Sequence, residues 1–234
     1  MQGNEQVWLQ QQVCAPLKLR LTDDQARRLS GFVDLLLQWN TTYNLTAVRD
    51  RAGMLTQHLA DCLAVVPELQ RHLQQHFTLV PAAAHSPACL LDVGSGGGLP
   101  GAVLSILLPQ LQVTTVDTVG KKAAFVRQVA GALALANLHP VHGRVENMQG
   151  QLFNVITSRA FASLPDFVKL TRPRLAPSGV WMAMKGKQPQ DEMDALPADV
   201  DVFHVEQLAV PGLDAERCLI WMRARTLATG DPQR

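Results

Sequence analysis

An α/β fold with a mostly parallel sheet, an antiparallel last strand and an N-terminal helical appendage is what this sequence predicts. Three observations predict it. From Cys89 onward, short apolar stretches alternate with helical patterns, the rhythm of a parallel sheet covered by helices. The last two strand patterns are joined around Pro211-Gly212 with no helix between them, which suggests an antiparallel hairpin. Before residue 80 only helical periodicity occurs.

The reading divides the chain into a helical appendage, residues 1–80, and an α/β domain, residues 81–234. Residues 1–16 read as a frayed helix. Thr22-Asp23-Asp24-Gln25 is a capping box, and Leu29, Phe32, Val33, Leu36 and Leu37 form one apolar face of a helix to about Asn40. Further helices are expected over 53–66 and 67–76, with 78–88 as the connection. Strands are expected at 89–93, 112–117, 139–142, 153–158, 179–185, 200–206 and 217–223, and helices at 99–108, 120–137, 163–172 and 189–195.

Composition narrows the function classes. The 234 residues are 47% hydrophobic, enough for a sizeable core. No apolar run is long enough to cross a membrane and the start lacks a secretion signal, so a cytoplasmic protein is expected. Cysteines 14, 62, 89 and 218 lie too far apart for a Cys-x-x-Cys pair and no histidine pair has metal-ligand spacing, so no metal is expected. The net charge is only +1, but ten Lys/Arg against two acids between Lys121 and Lys187 suggest a polyanion footprint.

The stretch Leu90-Leu-Asp-Val-Gly-Ser-Gly-Gly-Gly-Leu-Pro-Gly101 is a strand end, a glycine turn and a helix start with Pro100 in its first turn. Such a corner brings a nucleotide close to the backbone and offers it unpaired N–H groups. Two registers compete. Gly96-x-Gly98-x-x-Gly101 fits a dinucleotide, which would make an NAD-linked oxidoreductase. Asp92-x-Gly94-x-Gly96-x-Gly98 resembles the first motif of Rossmann-like class I methyltransferases, whose cofactor is S-adenosylmethionine, with Asp92 able to pair its amino group. Asp117, ending the next strand, suits ribose hydroxyls in either case. The antiparallel last strand favours the methyltransferase.

The ordered set Trp39-Asn40-x-x-Tyr43-Asn44-Leu45-Thr46, His58-x-x-Asp61, Asp92–Gly101, Asp117-x-x-Gly120-Lys121-Lys122, Arg144-Val145-Glu146, Ser158-Arg159-Ala160-Phe161-Ala162 and Lys185-Gly186 resembles the glucose-inhibited division protein B family. The resemblance runs from about residue 20 to 225. It implies methylation of N7 of one guanine of 16S rRNA, guanine 527 in the usual rRNA numbering, within naked RNA or the small ribosomal subunit. It implies cofactor contacts at Gly94, Leu99, Val145, Glu146 and Arg159, to which the motif reading adds Gly96 and Asp117. Asn44 and Lys185 are positioning candidates, and Tyr43 and Phe161 candidates for stacking on the base. His58 and Asp61 read as a structural hydrogen-bonded pair. Gly97 and Cys62 depart from the family pattern, which has Ala or Pro and Ser there. A monomer is expected, and a noncatalytic RNA-binding module is the third reading.

Overall fold

The computed structural model describes residues 3–77 and 87–225. The boundary expected near residue 80 lies outside them, as does most of the expected connection 78–88. Helices α1 (Gly3–Trp8), α2 (Asp23–Tyr43), α3 (Arg51–Gly53), α4 (Asp61–Leu63) and α5 (Val66–Phe77) come first. Then follow β1 (Cys89–Val93), α6 (Gly101–Leu107), β2 (Gln112–Asp117), α7 (Gly120–Ala132), β3 (Leu138–His142) and β4 (Phe153–Arg159). The chain continues through α8 (Leu164–Thr171), β5 (Leu175–Lys185), α9 (Gln190–Asp194), β6 (Val200–Gln207) and β7 (Cys218–Ala224).

The seven strands form one sheet in the order β3-β2-β1-β4-β5-β7-β6. All pairings from β3 across to β5 are parallel, and β7 runs antiparallel to both β5 and β6. The expected hairpin is therefore present, with β7 inserted between β5 and β6. Leu91, Asp92 and Val93 sit opposite Thr114, Thr115 and Val116 of β2. Thus β1 and β2 end at the same edge, and the glycine turn leaves from that edge.

Thr22 caps α2 as a closed box: its side chain accepts from Gln25 N, and the Gln25 side chain accepts from Thr22 N. Thr22→Ala should cost about 1 kcal/mol, read as a shift in the chemical denaturation midpoint. The apolar face of α2 packs on the sheet's helical layer. Phe32 and Trp39 lie 6.4 and 5.5 Å, centroid to centroid, from the fully buried Phe125 of α7. One core cluster thus runs from Leu9 through Phe32 and Phe125 to Leu90 and Trp221.

Four expectations are corrected. The N-terminal segment is not frayed: it continues as a π-helical stretch, Leu9–Cys14, whose Leu9, Val13 and Cys14 are buried. Glu5 also holds the Arg51 guanidinium through two bonds of 2.6 and 2.8 Å. The expected helix over 53–66 starts at Arg51 and includes a π-helical stretch, Met54–Ala60. The first helix after the glycine turn begins at Gly101, with Pro100 as its N-cap rather than inside its first turn. α7 ends at Ala132 because Ala134 turns left-handed and the buried Asn137 amide is drawn to the carbonyls of Ser105, Leu108 and Leu111.

Candidate functional site

Ligands of an open parallel sheet bind outside the carboxyl ends of its strands, where the strand order reverses. Here that point lies between β1 and β4. Two adjoining cavities open there, sharing Gly94, Lys122 and Ala160. The narrower, about 330 Å³, is lined by Asp117, Arg144, Val145, Glu146 and Phe161. The wider, about 610 Å³, is lined by Ser95, Gly96, Leu99, Arg159, Lys185 and Arg217 among others.

The glycine turn shapes the wall between them. Gly94, Gly96 and Gly98 have φ of 68°, 56° and 77°, a region that side chains rarely adopt. A Cβ on Gly94 would lie 2.5 Å from Cδ2 of Phe161. Below the turn, Asp92 is fully buried and its Oδ2 accepts from Gly101 N at 2.8 Å. The carboxylate therefore ties the start of α6 to β1. Its second oxygen, Oδ1, is buried without a partner among the described residues.

Burial pushes Asp92 up to about 7, while the Gly101 N–H and the Arg159 charge pull it back. Because the folded value exceeds the unfolded one, the folded state holds the extra proton. That contribution to stability is present at low pH and is lost as pH rises through about 7. Asp92→Asn removes the titration. Its melting temperature relative to the parent should therefore be higher at pH 8 than at pH 5; an unchanged difference would contradict the burial argument.

Asp117 ends β2 with both oxygens engaged: Oδ2 accepts from Gly96 N at 2.9 Å and Oδ1 from Val119 N at 2.8 Å. Each oxygen keeps a further lone pair. Lys122 Nζ stands 3.9 Å from Oδ2.

The structure brings all seven expected cofactor residues to the two cavities: Gly94, Gly96, Leu99, Asp117, Val145, Glu146 and Arg159. Lys185 joins them, but its Nζ is committed to Ala162 O at 3.0 Å and Glu192 at 2.8 Å. It secures the loop after β4 rather than standing as an open cation. Asn44 does not line the cleft. It ends α2 in a left-handed conformation, and its Oδ1 accepts from Arg49. Tyr43 packs on Trp39, 5.1 Å between centroids, and stays partly exposed. Asp92, expected to meet the cofactor amino group, lies under the turn instead.

His58 and Asp61 do not bond to each other. His58 Nε2 lies 2.5 Å from Thr46 Oγ1, and Asp61 takes Arg159 at 3.1 Å and Arg217 at 2.8 Å. Burial and the Arg159 charge lower the His58 pKa. Cys62 is fully buried, so its position has no exposed hydroxyl counterpart here.

Thr46 and Arg217 are site residues that sequence reasoning missed. Asn40 explains Thr46: its side chain bonds Thr46 N and Val48 O, curling residues 44–48 toward the cleft. Arg217 carries no local pattern and meets its partner from 156 positions away.

The basic stretch 121–187 is not one footprint. Arg159 and Lys185 stand at the carboxyl edge of the sheet, but Arg172 and Arg174 precede β5 and fall at the opposite edge. Arg172 is also paired with Asp199. In a parallel sheet each crossover returns the chain to the other edge, so a continuous run of basic residues is divided between the two.

Among the described residues, no helix is long and apolar enough to cross a membrane. The family profile described as rRNA small subunit methyltransferase G matches residues 25–220. A relative from Acidovorax sp. (strain JS42), named ribosomal RNA small subunit methyltransferase G, is 58% identical over 88% of this chain and 90% of its own length. One of the same name from Polaromonas sp. is 56% identical over 92% of each. Among solved structures, TrmN from Thermus thermophilus (TM-score 0.52, 18% identity) covers 73% of this chain and is covered over 53% of its own. A ribosomal protein L11 methylase from Lactobacillus delbrueckii (TM-score 0.52, 11% identity) covers 70%, and 78% of its own chain. At these identities the solved structures speak for the fold alone.

Proposed function

The chain belongs to the family of small-subunit rRNA methyltransferases G, and from that premise we propose that it methylates N7 of one guanine of 16S rRNA, guanine 527 in the usual numbering. The observation that carries this reading is the two-part cleft. The narrower half, with Asp117 and Val145-Glu146, suits an adenosine; the wider half, lined by four cations and one acid, suits an RNA acceptor.

S-adenosylmethionine, when bound, supplies an electrophilic methyl group on a sulfonium. The residues present fit it: a wall without side chains at Gly94 and Gly96, and the carboxylates of Asp117 and Glu146 lining the narrower half. Guanine N7 has a free lone pair and no proton, so the acceptor needs no general base. His58 is engaged at both ring nitrogens, Nε2 with Thr46 Oγ1 and Nδ1 with Gln57 O, which agrees with a site that orients rather than deprotonates. Catalysis then lies in alignment. Gly94 would admit the donor close to the backbone and Arg159 would hold its methionine end, while the loop secured by Lys185 presents Phe161 to the narrower half. The ribosomal RNA named for the bacterial relatives supports a cytoplasmic reaction.

Calorimetry with S-adenosylmethionine and NAD tests the donor. The account expects micromolar binding of the first and no heat from the second. The converse would restore the oxidoreductase reading.

A further inference from the structure

The cations of the wide cavity are not equivalent. Lys122 faces Asp117, and Lys185 is paired with Glu192. Arg159 and Arg217 share a single carboxylate, Asp61, which is only 2% exposed. Arg159 Nη1 reaches Oδ2 at 3.1 Å, and Arg217 Nε reaches Oδ1 at 2.8 Å. One of the two guanidiniums therefore lacks a contacting carboxylate of its own at the floor of the cleft, the nearby Asp92 being pushed toward its neutral form by burial. Bound S-adenosylmethionine does not offset this, because a sulfonium and an ammonium outweigh its one carboxylate. The unmatched guanidinium calls for an anion from the acceptor.

Arg217 is placed to meet it. It precedes β7, whose Cys218 pairs with Lys185 at the end of β5. In the sheet order, β4 and β5 separate it from the glycine corner of β1. Its Nη1 donates to Glu216 O at 2.8 Å, and Nη2 has no partner among the described residues. Arg159, at the end of β4, stands next to the corner.

We propose that Asp61 is a positioning residue holding two guanidiniums apart across the cleft, Arg159 toward the methyl donor and Arg217 toward a backbone phosphate of the RNA acceptor. Arginine suits this role because its planar fork binds a carboxylate on one side and a phosphate on another. The inference rests on the rRNA reading above.

The test compares Arg217→Ala, Arg217→Lys, Arg159→Ala and Asp61→Asn with the parent. Calorimetry with S-adenosylmethionine, steady-state kinetics on small-subunit rRNA at several salt concentrations, and thermal melting are the readouts. Arg217→Ala should leave cofactor affinity within about twofold and raise KM for RNA about tenfold, the effect of losing one charged hydrogen bond. The slope of log KM against log salt should fall by roughly 0.7–0.9, one phosphate contact. Arg217→Lys should restore the slope. Arg159→Ala should weaken the cofactor instead, and Asp61→Asn should weaken both. If Arg217→Ala leaves KM and slope unchanged while the parent methylates rRNA, or weakens the cofactor as much as Arg159→Ala, the assignment fails. If the parent methylates no rRNA, the underlying reading fails with it.

Discussion

Gly94→Ala is expected to lower affinity for S-adenosylmethionine by about 10- to 100-fold. Two effects act together. At φ 68° an alanine costs about 1–2 kcal/mol that glycine does not, so the free turn relaxes away from this conformation and binding must restore it. The new methyl group would also lie 2.5 Å from the Phe161 ring. Phe161 lines the narrower half of the cleft, where the donor's adenosine is expected, so a displaced ring would compete with it there. Binding must then either displace the ring or accept an overpacked contact costing about 1–3 kcal/mol. Gly97→Ala is the control. Gly97 is not left-handed, and its Cβ would meet only the tip of Leu36, at 3.0 Å. The Leu36 rotamer can give way, and affinity should stay near that of the parent. Isothermal titration of both variants decides; equal losses would contradict this view of the turn.

Phe125→Ala should destabilise the fold by about 3–5 kcal/mol, the usual range for emptying a buried aromatic site. The position is fully buried and is where α2 meets the sheet's helical layer through Phe32 and Trp39. For a chain of this size the melting temperature should drop by roughly 10 °C. The transition should remain single, because one core cluster spans the N-terminal helices and the sheet. Two separated transitions would mean that the helical part stands on its own. Calorimetric melting of parent and variant distinguishes these outcomes.

What could be read from the sequence was what repeats or caps locally. The strand–helix rhythm placed all seven strands, and the capping box placed the start of α2 within one residue. The glycines of the turn announced their own left-handed geometry. The end of α7 escaped because its left-handed residue is an alanine, Ala134, and its anchor Asn137 bonds carbonyls 26 to 32 positions away. The two π-helical stretches escaped because their composition is that of ordinary helix.

The site divides in the same way. The side proposed for the donor was legible because it is built from contiguous motifs at strand ends: Gly94–Leu99, Asp117, Val145-Glu146 and Arg159. The proposed acceptor side was not: Arg217, in the segment before β7, meets Asp61 of α4 only on folding, and only there does it share that carboxylate with Arg159 of β4. An amide at the end of a helix can cap it or reach a ligand, a choice the sequence leaves open; in the fold Asn44 turns left-handed at the end of α2 while its Oδ1 accepts from Arg49.

The most direct measurement is the mapping of N7-methylguanine in 16S rRNA from cells with and without this protein, by reduction and chain cleavage. The account predicts one cleavage site, at guanine 527, that vanishes when the protein is absent and returns when the purified chain and S-adenosylmethionine are added to the undermethylated RNA or subunit. A mark that persists without the protein would contradict it.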